Sequence, residues 1–213
     1  VAYIDIDCHH GDGVQAGFYD TPDVLTVSLH ESGQFLFPGT GNVGESGRDA
    51  GENYSVNVPL APHTSDVAYL AAFDAVVPQL VEAFNPDVLF TQLGVDTHVL
   101  DPITHLRLTV QGHAAVVGRL RDLASECGRW LAVGGGGYDL GAVARAWSVD
   151  LAIMAEIELP PELPITVPES PVAYTYADTL EPSDELVDMQ ISAFNDRSVE
   201  QVRELIFPHH GLG

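Results

Sequence analysis

Apolar and polar residues alternate from Val1 to Asp7, and the alternation stops at Gly11-Asp12-Gly13, the pattern of a strand that feeds a turn. Val24 to Leu29 is a second short apolar run. Between Glu31 and Asn53 the chain is rich in glycine, carries Pro38 and shows little periodicity. It is predicted to be a long loop, and long loops in compact domains are usually functional. Apolar residues then recur at helical spacing from Asp66 to Phe84 (Val67, Leu70, Ala71, Val77, Leu80, Val81, Phe84), with Ser65 as cap and Asn85-Pro86 as stop. Val88 to Leu93 follows as a buried strand, Thr109 to Cys127 as a helix, Trp130 to Val133 as a strand and Leu140 to Ile157 as a helix.

Strands that alternate with helices predict an α/β fold with a mostly parallel sheet, and ligands bound at the carboxyl ends of its strands. Beyond residue 157 the pattern changes. Leu159 to Glu185 is dense in proline and acidic residues, which predicts an extended tail, and Ser198 to Phe207 reads as a short final helix. Two regions are therefore expected: 1–157, an α/β portion, and 158–213, a Pro-rich acidic tail with a short terminal helix. Val1 already reads as the middle of a strand, so an upstream portion is expected.

Composition narrows the partners. Thirty-one acidic residues stand against 8 basic ones, all arginine, for a net charge of −23. Such a surface repels nucleic acid and draws cationic substrates, although the same charge also serves solubility or a salty interior. The pattern shows no apolar run of membrane-spanning length and no leader, so no membrane is expected. Two cysteines, Cys8 and Cys127, are too few for a disulfide framework and fit a reducing, cytoplasmic setting. Cys8 points away from Asp7 and His9 in an alternating strand and reads as a small buried apolar residue.

The candidate chemistry collects at predicted strand ends. Asp5, Asp7 and His9 close the first strand, and Asp96 with His98 follows the strand that ends at Leu93. Residues two apart on a strand share a face, so Asp7 and His9 can address one ion, with Asp96 as a third ligand and open positions left for water. Gly134 to Gly137 and Tyr138 follow another strand. Glycines there admit a ligand close to the backbone, and the tyrosine presents its hydroxyl. A phosphate loop is the rival reading of that run, but the chain has no lysine to complete one.

Tyr3-Ile4-Asp5-Ile6-Asp7-Cys8-His9-His10-Gly11-Asp12-Gly13, Phe37-Pro38-Gly39-Thr40-Gly41, Gly94-Val95-Asp96 and Gly134 to Tyr138, in that order, resemble the histone deacetylase family of the arginase/deacetylase superfamily. The stretch Asp96-Thr97-His98 with Leu100 to Leu106 looks most like its bacterial acetoin-utilization branch. The resemblance covers roughly residues 1 to 157 and implies a three-layer arginase/deacetylase-like fold, incomplete at its N-terminus.

It implies that Asp7, His9 and Asp96 hold a divalent ion, zinc or ferrous iron. Tyr138 would donate its hydroxyl to the acetyl carbonyl oxygen. Phe37, Gly136 and Ile103 would border the tunnel for the acyl-lysine stem, and Asp5 and Asp12 match carboxylates that orient a catalytic histidine pair. Potassium is implied near Asp5, Asp7, His9 and Ser28, and again near Phe18, Thr21, Val24 and Tyr54.

The adjacent histidines that serve this family as general base and acid belong to a segment before Val1. Neither His9-His10 nor His209-His210 matches them, so the isolated chain is expected to be weak or inactive. His30, His98 and His105 read as rim or structural residues, His63 and His113 as solvent-facing or capping, and Trp130 and Trp147 as core. The substrate is expected to be an acetylated protein or a small acetylated amine. An acetylpolyamine amidohydrolase and a non-catalytic binding module are the rival functions; a ureohydrolase would need carboxylates for a second metal.

Overall fold

A computed structural model of the chain describes residues 1–160, 162, 175–179 and 185–213. Five strands form one parallel sheet: β1 Ala2–Asp5, β2 Leu25–Glu31, β3 Ser55–Leu60, β4 Leu89–Leu93 and β5 Trp130–Gly134, in the spatial order β3-β2-β1-β4-β5. Helices α1 Asp12–Phe18, α2 Asp66–Phe84, α3 Val110–Cys127, α4 Leu140–Ala155 and α5 Glu185–Leu205 accompany them, with short 3₁₀ turns at Asp49–Gly51 and Phe207–His210. The α/β class and the parallel sheet are as the sequence pattern predicts.

One sheet face carries Ala2 and Ile4 of β1, Leu25, Val27 and Leu29 of β2, Val56 and Val58 of β3 and Leu89 of β4. These pack with Tyr69, Phe73, Val77 and Leu80 of α2 and Val116, Val117 and Leu120 of α3, all of them buried. Fully burying one such side chain contributes roughly 1.5–3 kcal/mol, so this layer dominates stability. Helix α2 is long and apolar enough to cross a bilayer by length and composition, contrary to the expectation from the pattern; the buried residues just named show it to be the core helix of this sheet. Its left-handed Asn85 cap returns a backbone N–H to Val81, as Asn85-Pro86 foreshadows.

On the opposite face α1 leaves an open apolar groove of about 520 Å³ lined by Val1, Tyr3, Val14, Phe18, Val24, Phe90 and Val133. Helix α1 itself corrects the sequence expectation: Gly11-Asp12-Gly13 opens a helix and is not merely a turn.

Other expectations also need correction. β3 is absent from the predicted order of strands, although Ser55 to Leu60 alternates polar and apolar residues as a strand does. Pro59 is tolerated because β3 is an edge strand of this sheet and its outer side needs no ladder donor. The last helix begins at Glu185, not Ser198, and is joined to the core by Val202, Ile206 and Phe207 and by Asn195, which accepts from Ala61 N at 2.9 Å and donates to Thr64 Oγ1 at 3.0 Å. His113 is buried, not solvent-facing, and pairs with Asp150 across α3 and α4 at 2.9 Å. Trp147, read as core, is 37% exposed and donates its Nε1 hydrogen to Leu93 O, whereas Trp130 is half-buried. Most of the Pro-rich stretch from Leu159 to Glu185 lies outside the described residues.

Candidate metal centre

The carboxyl ends of β1 and β4 adjoin because those strands pair in register, Asp5 opposite Gln92. Asp7 and His9 continue from β1, and Asp96 stands three residues beyond the end of β4. One ligand atom from each of Asp7, His9 and Asp96 falls within 4.8 Å of the other two, and among the described residues no other such group of three occurs. His9 Nδ1 lies 2.8 Å from Asp96 Oδ2 and 3.2 Å from Asp7 Oδ1.

The remaining carboxylate oxygens are already engaged. Asp7 Oδ2 accepts from Gln92 Nε2 and from the Gly136 backbone N–H, both at 2.7 Å, and Asp96 Oδ1 accepts from Cys8 N at 2.7 Å. Asp96 is thereby oriented by one oxygen and Asp7 by both, since Asp7 Oδ1 accepts from His9 N at 2.9 Å, and Asp7 Oδ1 and Asp96 Oδ2 face the His9 ring. This is the outer support that well-built metal sites place behind their ligands.

Glycines make the approach possible. A Cβ on Gly136 would stand 2.1 Å from Asp96 Oδ2 and 3.0 Å from Asp7 Oδ2; one on Gly94 would meet Asp7 Oδ2 at 2.4 Å. The chain after β5 can therefore lie against both acids only without side chains. Gly136→Ala is expected to push the two carboxylates apart and weaken zinc binding by roughly ten- to a hundredfold, read by competition with a chelator. Wild-type affinity in that variant would show that the cradle is incidental.

The electrostatics fit a cation. Hydrogen bonds from its ring to Asp7 and Asp96 raise the His9 pKa to about 10 despite some burial, so without metal the imidazolium offsets one of the two negative charges. Burial alone would raise Asp7, but donors from His9, Gln92 and Gly136 outweigh it and hold that acid well below its usual range. Asp96 goes the other way, up to about 6, because burial and the neighbouring Asp7 charge prevail over the bond from His9. Two buried acids and an imidazole that compete for one positive charge form a donor set suited to a divalent ion such as zinc or iron.

Around this centre the other predicted residues divide. Asp5 is buried and accepts from Asp7 N at 3.0 Å and from Tyr3 OH at 2.8 Å, and burial pushes its pKa up to about 7. Ser28 pairs in register with Asp5 on β2. Tyr138 is 53% exposed, its backbone N–H held by Asp101 Oδ2 at 2.9 Å. Its phenol pKa is raised by partial burial and by the charges of Asp96, Asp7 and Asp101, which places it within their field and keeps it a donor at neutral pH. Phe37 and Ile103 are exposed, at 78% and 49%. Asp12 is exposed in the first turn of α1 and makes no side-chain hydrogen bond to the site among the described residues.

Of the two readings of His30, His98 and His105, rim or structural, the structure supports the structural one, since each is hydrogen-bonded within the protein. His98 is buried against Asp178, and His30 is fully buried, accepting from Ser28 Oγ at 2.8 Å and donating to Gly41 O at 3.0 Å. His105, half-exposed, donates to Glu31 Oε1 at 2.8 Å. Burial and the neighbouring His10 lower the His30 pKa to about 3. The folded state therefore keeps His30 neutral while the unfolded chain takes a proton below about 6.5, so acid favours unfolding through this residue. The stability advantage of wild type over His30→Gln should shrink by roughly 1.4 kcal/mol per pH unit as pH falls from about 6.5 toward 3. A denaturant series that shows a flat difference would refute this.

Sequence reasoning missed Gln92, Glu31 and Asp178. Gln92 and Glu31 are polar residues in apolar strands, a usable signal. Glu31, 1% exposed, accepts from His105 N at 2.9 Å and from the Cys8 thiol at 3.7 Å. Cys8 is buried, as expected, and burial with the Asp96 and Glu31 charges holds its thiol protonated.

Comparison with known proteins shows the family and the fold. Residues 1–154 match the family model of the histone deacetylase domain. The acetoin utilization protein AcuC of Bacillus subtilis (strain 168) is 46% identical over 169 residues, which is 76% of this chain and 44% of that protein. AcuC of Staphylococcus xylosus is 42% identical over 160 residues, 73% of this chain and 42% of its own length. The crystal structure of an HDAC homolog from Aquifex aeolicus superposes with a TM-score of 0.81 at 28% identity, covering 95% of this chain and 56% of the other. An HDAC homolog complexed with SAHA gives a TM-score of 0.82 with the same coverage. The chain thus spans less than half the length of these curated relatives.

Proposed function

The chain belongs to the histone deacetylase family, and from that premise we propose that it carries the metal site of a deacetylase that hydrolyses the acetyl amide of acetyl-lysine in proteins. The observation that carries the proposal is the convergence of Asp7, His9 and Asp96 under the Gly136 backbone. These three would hold zinc or ferrous iron, which when bound supplies Lewis-acid polarisation of the carbonyl and activation of water.

The protein's own groups do the rest. Tyr138 donates its hydroxyl to the acyl oxygen as negative charge develops there. Gln92 and Gly136 fix one oxygen of Asp7, and Cys8 N fixes one of Asp96, so the donor set is in place before substrate arrives. Phe37 and Ile103, both exposed apolar side chains, flank the acyl-lysine stem. Asp5 and Asp12 orient the histidine pair that this chemistry requires, and potassium beside Asp5 and Ser28 would steady that side of the site.

That histidine pair is not supplied by the described residues. His9 is a ligand, and His10 is occupied by Thr40 Oγ1 at 2.8 Å and Gln15 Oε1 at 3.1 Å. His209 and His210 pack on Tyr54, with His210 donating to Asn53 O. A missing general base costs about a hundred- to ten-thousandfold, so the 213-residue chain alone should deacetylate an acetyl-lysine peptide that much more slowly than a full-length relative. Equal rates would overturn this part of the proposal.

The net charge of −23 favours a second reading, an acetylated polyamine as substrate. Competing acetyl-lysine peptide against acetylpolyamine separates the two. An intact protein, histidine pair included, that holds metal stoichiometrically yet hydrolyses neither refutes both.

A further inference from the structure

The metal reading of Asp7, His9 and Asp96 leaves Asp178 without a role. Its carboxylate is nearly buried where the loop after β4 meets the starts of α3 and α4. Asp178 Oδ2 accepts from His98 Nε2 at 2.9 Å and from Val110 N at 2.8 Å, and Oδ1 accepts from Arg145 Nη1 at 2.6 Å. The flanking backbone is clasped as well. Asp178 N donates to Gln111 Oε1 at 2.9 Å, Gln111 Nε2 donates to Asp178 O at 2.9 Å, and Arg145 Nη1 also donates to Tyr176 O at 2.9 Å. Charge-assisted bonds to a buried carboxylate are the strong ones, so this acid holds its partners in one arrangement.

His98 is the partner that leads to the metal centre. It is 3% exposed, and its Nδ1 accepts from Leu100 N at 3.1 Å, which fixes the tautomer with the Nε2 hydrogen toward Asp178. Its backbone N–H donates to Val95 O at 3.1 Å and its carbonyl accepts from Asp101 N at 2.8 Å, so the side chain is the pin of a tight turn. At one end of that turn stands the ligand Asp96, whose own carbonyl accepts from Thr104 Oγ1. At the other stands Asp101, which holds Tyr138 N through Oδ2 and Ile103 N through Oδ1.

Building on the metal site proposed above, we propose that Asp178 is a positioning residue for it: through His98 it fixes the turn that presents Asp96 to the ion and Asp101 to the backbone of Tyr138. An alternative is that Asp178 only ties residues 175–179 to the surface of α3 and α4. Arg145 separates the two, because Arg145→Met removes the ion pair and the Tyr176 contact while it leaves the Asp178–His98 bond in place.

The test uses zinc(II) alone, titrated against a chromophoric chelator, with the cobalt(II) absorption bands as a readout of ligand geometry. Asp178→Ala should bind zinc about ten- to a hundredfold more weakly and shift the cobalt bands. Arg145→Met should change the affinity less than about threefold, and His98→Phe combined with Asp178→Ala should be no worse than the more damaging single variant. Wild-type affinity and spectrum in Asp178→Ala, or an equal loss in Arg145→Met, would overturn the proposal. If Asp178→Ala does not fold, Asp178→Asn, which keeps the size of the side chain, is read the same way. Should the wild-type protein bind neither zinc(II) nor cobalt(II), the metal reading itself falls, and that result is distinct from a variant that merely matches a metal-binding wild type.

Discussion

Asp96→Asn is expected to leave the protein without a stoichiometric divalent ion while its fold survives. Asp96 is fully buried, its Oδ1 accepts from Cys8 N and its Oδ2 faces His9 Nδ1 at 2.8 Å. Asparagine keeps an oxygen for Cys8 but removes the charge that a divalent ion needs. Because a bound ion would supply several kcal/mol of transition-state charge stabilisation, the deacetylation proposed for the intact protein should fall about a thousandfold or more. The metal-free protein should keep its fold but lose some stability, since His9 loses its shorter carboxylate contact and the asparagine amide then faces the Nδ1 hydrogen. Metal analysis by mass spectrometry, a deacetylase assay and a melting curve check the three parts; a variant that retains both metal and rate would refute the ligand assignment.

Tyr138→Phe should separate catalysis from binding. The side chain is 53% exposed, so loss of its hydroxyl leaves the core untouched, and the Tyr138 N–H bond to Asp101 remains. Removing one donor to a developing oxyanion typically costs about a hundred- to a thousandfold in kcat. KM and metal content should stay near wild type, because the ligand set does not include this phenol. An equal rise in KM with kcat preserved would instead assign Tyr138 to substrate binding alone.

How much of the centre was legible differs from residue to residue. Asp7 and His9 share a face because strand geometry makes every second side chain do so, and that rule needs no coordinates. Gly136 is visible as a glycine in a run, but that its backbone donates to Asp7 Oδ2 and leaves no room for a Cβ beside Asp96 depends on how β5 is placed next to β4. Gln92 could have been found as an amide inside an apolar strand. Asp178 could not, because it lies in a Pro-rich acidic stretch whose composition reads as solvated tail.

The polar interior misled in the same way. His113 and Asp150 sit on different helices and meet only when α3 packs on α4, so each alone reads as a surface residue. His30, at a strand end, reads as rim or structural, and only the packing decides for the second, with Ser28 and Gly41 satisfying both its nitrogens inside the molecule. β3 could have been found, since Val56, Val58 and Leu60 alternate with Ser55, Asn57 and Pro59, whereas the many charged residues of α5 blur the periodic signal of its first turns. Packing against β2 and α2 determines those elements more than local propensity does.

Periodicity and spacing in the chain by itself determined the parallel α/β class, the principal helices and strands, and the short list of acids, imidazole, glycines and phenol, since all of these come from local geometry and residue chemistry. Only the tertiary structure decided which strand ends meet, which oxygens of Asp7 and Asp96 face the His9 ring, and that the distant Asp178 bonds the His98 side chain in the turn after Asp96. Those are relations between segments far apart in sequence, and the burial that makes them strong exists only once the sheet has closed around them.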